Sequence, residues 1–326
     1  MKNPIFSRVI EYLTVSRNLQ THLSRYHAHW TRFQDEFNIL VDSVYETILR
    51  FEQKEEAHRT QSLKNIFTKR YRRHFLFGEF IRWSYEKPYG YAGDFKIIDE
   101  IYRNAPRTEG FERLWDNYFQ RLSISEATRQ RKEDLKVMIA DFISHHQAPE
   151  ARIMNLACGS AREIKELLTH PSKRNTPHVH FDCYDADIDA ISFAKELHSH
   201  TPHVTFVKKN ALRIGLRKDI TKEIPHQYDL IYSAGLFDYL SAKFATRLVA
   251  NLKRLLKKDG MMIIANVNDR YSNPSVCWME WVADWNLVYR NEGEFKNIFL
   301  DAGFLPQRIQ RTVQKSNVIQ YCICHN

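Results

Sequence analysis

Four short stretches in the second half of the chain carry residue types that could hold a single ligand. The first is the small-residue turn Ala157-Cys158-Gly159-Ser160-Ala161, preceded by Ile153, Met154, Asn155 and Leu156. The second, Asp185-Ala186, lies 26 residues beyond Gly159; the third is Asn210-Ala211 and the fourth Ser233-Ala234-Gly235. Each follows a short apolar run of the kind that forms a buried strand. Small side chains in the first turn let the backbone approach a ligand, and the apolar helix predicted after Glu163 would present free N–H groups to it. Asp185 stands close to the spacing, about 20 residues, at which a carboxylate meets ribose hydroxyls. Asn210 and Ala211 could meet an adenine edge, and Ser233, Ala234 and Gly235 the far end of the ligand.

The glycines that are missing narrow the chemistry. A dinucleotide fingerprint reads G-x-G-x-x-G, whereas Ala157 and Ala161 occupy positions where glycine is expected, and no Lys-Ser/Thr pair of a phosphate loop follows. A nucleoside ligand without phosphates fits this turn better than a pyrophosphate, and S-adenosylmethionine is such a ligand.

The elements that must position these turns alternate from Arg152 onward. Apolar runs at 178–184, 203–207, 228–233 and 261–267 read as strands separated by helices, and two late runs near 304–311 and 317–324 close the chain. This alternation predicts an α/β fold, a Rossmann-like, mostly parallel sheet with helices on both faces and an antiparallel strand at its C-terminal edge. Residues 1–135 hold little Gly or Pro and show helical spacing, including the stripe Trp30, Phe33, Phe37, Leu40, Val44, Ile48 and Phe51. They predict an all-helical N-terminal cap, with residues 136–326 as the ligand-binding domain. The polar segment 53–63 reads as an exposed helix end or connection. Within the cap, Pro88, Gly90 and Gly93 break the helical period, and the loop 87–94 presents Tyr89, Tyr91 and Asp94. Asp94 is an N-cap for the following helix as readily as a catalytic acid, and the tyrosines read as a ligand lid.

Composition bounds the rest. The 326 residues carry 48 Lys and Arg against 39 Asp and Glu, a net charge of +9. That charge would suit an anionic partner, but it reads as spread along the chain, so a solvated surface is favoured over a nucleic acid. No stretch approaches the ~20 apolar residues of a spanning helix, which implies no membrane span and a cytoplasmic protein. The five cysteines lack C-x-x-C spacing, so neither a metal site nor a disulfide framework is expected. A homodimer is left open.

At this point the residues carry a resemblance. ACGSARE, FDCYDADIDA, KKNA, YDLIYSAGLFDYL and LLKKDGMMIIANV, in that order, resemble the motif series of class I S-adenosylmethionine-dependent methyltransferases. More narrowly, KPYGYAGDFKIIDEIY, YSAGLFDYL and NPSVCWMEWVADWNLVYRNEGEF resemble bacterial methyltransferases of the 3-hydroxypalmitic acid methyl ester synthase type, over about Trp83 to Phe304. The resemblance implies that Asn155 to Ala161 wrap the methionine part of the cofactor, that Asp185 holds the ribose and that Asn210 and Ala211 flank the adenine. Ser233 to Tyr239, including Phe237 and Tyr239, would form the floor between cofactor and acceptor. The sequence departs from the family at Asn155, where an acid is usual, and at Ala157, where glycine is usual.

Methyl transfer from a sulfonium needs alignment, exclusion of water and a deprotonated acceptor. A carboxylate acceptor is already ionised and needs only a cation or hydroxyls to orient it. Tyr91, Arg270 and Tyr289 are the candidates for that catalytic work, with Tyr89, Tyr271 and Arg290 beside them in binding the acceptor. Trp278, Trp281, Trp285 and Tyr289 recur at three- and four-residue spacing, as on one helix face. Trp278 and Trp281 would then wall an apolar acceptor pocket against the N-terminal helices, unless they are core. The expected reaction is O-methylation of a small carboxylate, such as a hydroxy fatty acid, or of a hydroxyl. An amine acceptor, an RNA acceptor and a non-catalytic adenosyl-ligand binding protein are the alternatives.

Overall fold

The structure is a computed structural model that describes residues 3–169 and 178–326. It divides into a helical unit, Met1–Glu126 with Asn273–Asn286, and a sheet unit, Ala127–Ser272 with Leu287–Asn326. Fourteen residues from late in the chain are grouped with the helical unit.

In the helical unit, α1 (Pro4–Leu23) starts where Asn3 Oδ1 accepts the amide of Ile5 and Pro4 fills the first turn. It is followed by α2 (Trp30–Lys54), α3 (Ala57–Arg70), α4 (Glu79–Glu86), α5 (Phe95–Arg103) and α6 (Gly110–Arg121). Phe37, Val41, Val44, Tyr45 and Ile48 form the buried face of α2; Phe37, Val44 and Ile48 belong to the stripe read from the sequence, whose other members are only half-buried. Aromatic rings make the core: Tyr12 stacks on Phe75 at 4.4 Å, and Phe37 meets Trp115 edge-on at 5.0 Å. The polar segment after 53 is only partly a connection, because α3 begins at Ala57. Basic residues are also less dispersed than composition implied: Lys69 and Arg70 end α3, where cations suit the helix dipole, and Arg72, Arg73 and His74 follow directly.

Residues 273–286 join this unit through specific bonds. Ser275 Oγ accepts the amide of Ile124 at 3.3 Å, Arg72 Nε donates to Trp281 O at 3.0 Å, and Trp281 Nε1 donates to Glu52 Oε1 at 2.7 Å. Trp278–Val282 is a π-helical turn, not the regular helix that the tryptophan spacing predicted.

The sheet unit begins within α7 (Ser123–His145). Its elements are β1 (Glu150–Leu156), α8 (Arg162–Thr169), β2 (His178–Asp185), α9 (Ile188–Leu197), β3 (Val204–Lys208), α10 (Ala211–Leu216) and β4 (Tyr228–Ser233). There follow α11 (Ala242–Arg254), β5 (Leu256–Val267), α12 (Glu292–Asp301), β6 (Ile309–Val313) and β7 (Ile319–His325). Among the described residues, seven strands form one sheet in the order β3-β2-β1-β4-β5-β7-β6, with β1 to β5 parallel and β7 antiparallel to both β5 and β6. β6 starts later than the apolar run near 304 suggested, because Pro306 opens a 3₁₀ turn over Pro306–Arg308. All six residues of β4 are buried, as a strand covered on both faces requires. The parallel order β3-β2-β1-β4-β5 brings the carboxyl ends of these strands to one edge, where an open α/β sheet binds ligands. No helix among the described residues is long and apolar enough to cross a membrane.

Candidate active site

The link from β1 to α8 is a turn built on left-handed backbone. Ala157, Gly159 and Ala161 have φ of 56°, 53° and 49°. For the two alanines this conformation costs on the order of 1–2 kcal/mol each, so both stand where glycine would be relaxed. Strain of this kind persists only where the surroundings fix it, and here the bonds that fix it are visible. The amide of Cys158 donates to Tyr184 O at 3.1 Å, that of Gly159 to Asp185 Oδ2 at 2.9 Å, and that of Ala161 to Cys158 O at 2.9 Å. His198 Nε2 donates to Ala161 O at 3.1 Å, and burial holds this imidazole below the usual histidine range, in its neutral form. Ala157→Gly is expected to raise stability by about 0.5–1 kcal/mol in denaturant unfolding. Ala161→Gly returns less, because its methyl is buried, and a loss of stability for Ala157→Gly would contradict the strain.

Asp185 closes β2 and faces this turn. Its Oδ2 accepts from Gly159, its Oδ1 accepts from the amide of Asp187 at 3.0 Å, and burial pushes its carboxyl above the usual range against those bonds. Four lone-pair sites on a carboxylate leave two after these bonds, enough for a ribose diol. Ala186 is exposed beside it. At the end of β3, Asn210 Oδ1 caps α10 by accepting the amide of Leu212 at 2.7 Å, and Ala211 is buried in the first turn. Ser233 Oγ donates to Leu156 O at 2.8 Å, so it ties the end of β4 to the end of β1.

Beneath the turn lies a buried polar triad. Asn155 and Tyr232 are paired across β1 and β4, and both donate to one oxygen of Glu163 in the first turn of α8: Asn155 Nδ2 at 2.9 Å and Tyr232 OH at 2.8 Å. Burial raises the Glu163 carboxyl above its usual range, while Tyr232, Arg131 and Asn155 pull it back down. The folded state therefore holds the proton more tightly than the unfolded chain does, and ionisation opposes folding as pH rises through and above the ordinary carboxylate range. Glu163→Gln, neutral at every pH, is expected to raise Tm over the parent at pH 8 and to give a smaller gain at pH 4. An equal shift at both pH values would contradict a raised acid.

The turn after β4 is held from behind. Arg131 of α7 donates through Nη1 to Ala234 O at 3.1 Å and lies 3.7 Å from Asp238 Oδ2. A Cβ on Gly235 would come 3.3 Å from the same guanidinium, so glycine there permits the close approach. Asp238 Oδ1 accepts from Asn266 Nδ2 and from the amide of Val267, each at 2.7 Å. Arg290, proposed from the sequence as an acceptor ligand, is instead 3% exposed. It spends its fork on Phe237 O at 2.8 Å, on Leu240 O and on Asn266 Oδ1. Phe237 is likewise not a floor residue: it is fully buried and packs with Ile231, Leu240 and Val249 in the sheet core. Tyr239 and Tyr271 are exposed, Tyr289 is half-buried, and the half-buried Arg270 stacks its guanidinium on the Tyr271 ring at 5.1 Å just after β5.

The remaining candidates belong to the helical unit. Trp278 and Trp281 are fully buried, Trp278 against Phe119 and Trp281 against Phe67, so they form core and wall no pocket there. Asp94 is a cap, accepting from the amides of Lys96 and Ile97, and it also accepts from Trp83 Nε1 at 2.9 Å. Tyr91 OH accepts the amide of Phe95 at 3.4 Å and the Tyr89 ring packs on Phe95 at 4.6 Å, yet both tyrosines keep more than a third of their surface exposed. Sequence reading missed Arg131, Glu163 and Tyr232. Glu163 stood inside the motif that carried the resemblance, but its partners come from two strands that no local pattern links to it.

Residues 154–262 match the family model described as a methyltransferase domain. Among solved structures, a Bordetella parapertussis protein described as a possible exported protein aligns with a TM-score of 0.58 at 16% identity, over 72% of this chain and 79% of its own. The methyltransferase domain of a citrinin polyketide synthase aligns with a TM-score of 0.48 at 14% identity, over 59% of this chain and 51% of its own. Magnesium protoporphyrin IX methyltransferase from Synechocystis, with bound SAM, aligns with a TM-score of 0.44 at 12% identity, over 62% of this chain and 83% of its own. No curated protein matches by sequence. The first likeness is one of fold. With the sheet order and the turn after β1, the match makes residues 154–262 a methyltransferase domain that uses S-adenosylmethionine.

Proposed function

We propose that this enzyme methylates a small molecule on oxygen, and that the acceptor is a carboxylate of the hydroxy fatty acid kind that the sequence resemblance implies. The observation that carries the reading is Arg270, whose guanidinium lies over the Tyr271 ring directly after β5, at the same edge of the sheet as the cofactor turn. The stacked ring fixes the direction of a planar cation, and a planar cation matches a carboxylate. Tyr239 and Tyr289 supply phenol groups near the ends of β4 and β5. When bound, the cofactor supplies an electrophilic methyl group on a sulfonium. Asn155, Ala157, Gly159, Ser160, Asp185, Ala186, Asn210, Ala211, Ser233, Ala234 and Gly235 form its cradle. Two of its polar atoms, Asn155 Oδ1 and Ser160 Oγ, are buried without a partner among the described residues, which suits a ligand with donors of its own. The chain's part is to align the acceptor within about 3–3.5 Å and to exclude water. Five free, buried cysteines suit a reducing, cytosolic setting.

The test is mass spectrometry of products formed with S-adenosylmethionine and a panel of hydroxy fatty acids, aromatic acids, amines and RNA. Base-labile methyl esters are expected, and Arg270→Ala is expected to raise the acceptor KM about tenfold or more with little change in cofactor affinity. Methylated amines, or methylated RNA with steeply salt-dependent binding, would overturn the reading.

A further inference from the structure

The usual acid at the end of β1 is replaced here by Asn155, and the site nonetheless contains a buried acid eight residues on. Glu163 Oε1 receives both Asn155 Nδ2 and Tyr232 OH. A carboxylate oxygen that accepts from an amide accepts only from its nitrogen, so this bond sets which way the Asn155 amide faces. The consequence falls on the other end of that amide. Asn155 is 1% exposed, and its Oδ1 has no partner among the described residues; Ser160, 3% exposed, has an Oγ likewise unpartnered among them, in the turn that follows. A buried acceptor left unmade costs about 1–3 kcal/mol, which is a cost a ligand donor removes. The donor that suits two neutral acceptors backed by a carboxylate is a cation with several N–H groups, an ammonium.

We propose that Glu163 is the displaced acid of the cofactor turn: it fixes the Asn155 amide so that Oδ1 receives the α-ammonium of the cofactor's amino-acid part, and its charge balances that cation. The proposal rests on the assignment of S-adenosylmethionine to this turn. Glu163 acts through Asn155 and is a positioning residue. The arrangement divides between two side chains what one strand-end carboxylate would do alone. It keeps the carboxylate one bond further from the ligand, where Tyr232 and Arg131 temper its charge.

Two ligands separate this role from a merely structural one. S-adenosylhomocysteine carries the ammonium, whereas 5′-methylthioadenosine keeps the nucleoside and thioether but lacks the amino acid. Calorimetric titration of the parent, Glu163→Gln and the double variant Asn155→Asp/Glu163→Gln with both ligands is the experiment. Glu163→Gln is expected to weaken S-adenosylhomocysteine about tenfold or more while methylthioadenosine changes by less than about twofold. The double variant moves the acid back to the strand end and is expected to recover most of that loss. Equal weakening of both ligands in Glu163→Gln, no weakening of either, or no recovery in the double variant would overturn the proposal while leaving the cofactor assignment intact. If the parent binds neither ligand, the cofactor assignment itself fails and the proposal with it.

Discussion

Asp185→Ala is expected to weaken S-adenosylhomocysteine binding by about 100-fold or more, because on the proposed reading one side chain serves the ligand and the turn together. Its two oxygens hold the amides of Gly159 and Asp187, and each bond to a charged acceptor contributes about 1.5–3 kcal/mol. Loss of the first frees the left-handed backbone at Gly159 to leave its binding geometry. Loss of the remaining lone pairs removes the ribose contacts that the sequence resemblance implies. Asp185→Asn keeps one acceptor and the shape of the side chain, so a smaller loss is expected. Calorimetric titration reads both variants, and parent-like affinity for Asp185→Ala would contradict the role of β2's terminal acid.

Arg290→Met is expected to cost about 3–5 kcal/mol of stability, the range for removing one partner from a buried ionic network. Phe237 O, Leu240 O and Asn266 Oδ1 would lose the guanidinium together, and Asp238 would lose a neighbouring positive charge that offsets its burial. The backbone of Arg290 is itself tied down, since its carbonyl accepts from Gln320 Nε2 at 2.6 Å. Arg290→Lys is not expected to rescue the fold, because a point charge cannot span three acceptors in different directions. Denaturant unfolding checks this. A variant that unfolds at the parent midpoint but shows a raised acceptor KM would restore Arg290 to the acceptor site.

These two arginine and aspartate results mark where the sequence was legible. Asp185 follows an apolar run and ends a strand, a local pattern, and the structure sets it where that pattern placed it. The cofactor turn was readable for the same reason, down to the alanines at 157 and 161, whose cost appears only in the φ angles. Arg290 was not readable, because a lone arginine after a tryptophan-rich stretch looks the same whether it faces a ligand or three carbonyls. Trp278 and Trp281 misled for a related reason: spacing reports a face, while burial depends on what comes to meet that face, here Phe119 and Phe67 from far earlier in the chain. The return of 273–286 to the helical unit is likewise a non-local event with no signature in composition. Glu163 is the instructive case. Its charge type was on view, but its meaning required residues 155, 163 and 232 to converge, which only the register of β1 against β4 brings about.

Hydrogen exchange of the parent enzyme with and without S-adenosylhomocysteine tests most directly that the ligand occupies the turn from Ala157 to Ala161. Slowed exchange on ligand addition is expected in peptides covering Leu156–Arg162, Asp185–Asp187 and Asn210–Leu212, the ends of β1, β2 and β3. Binding with unchanged exchange in all three segments, or protection confined to other parts of the chain, would contradict it.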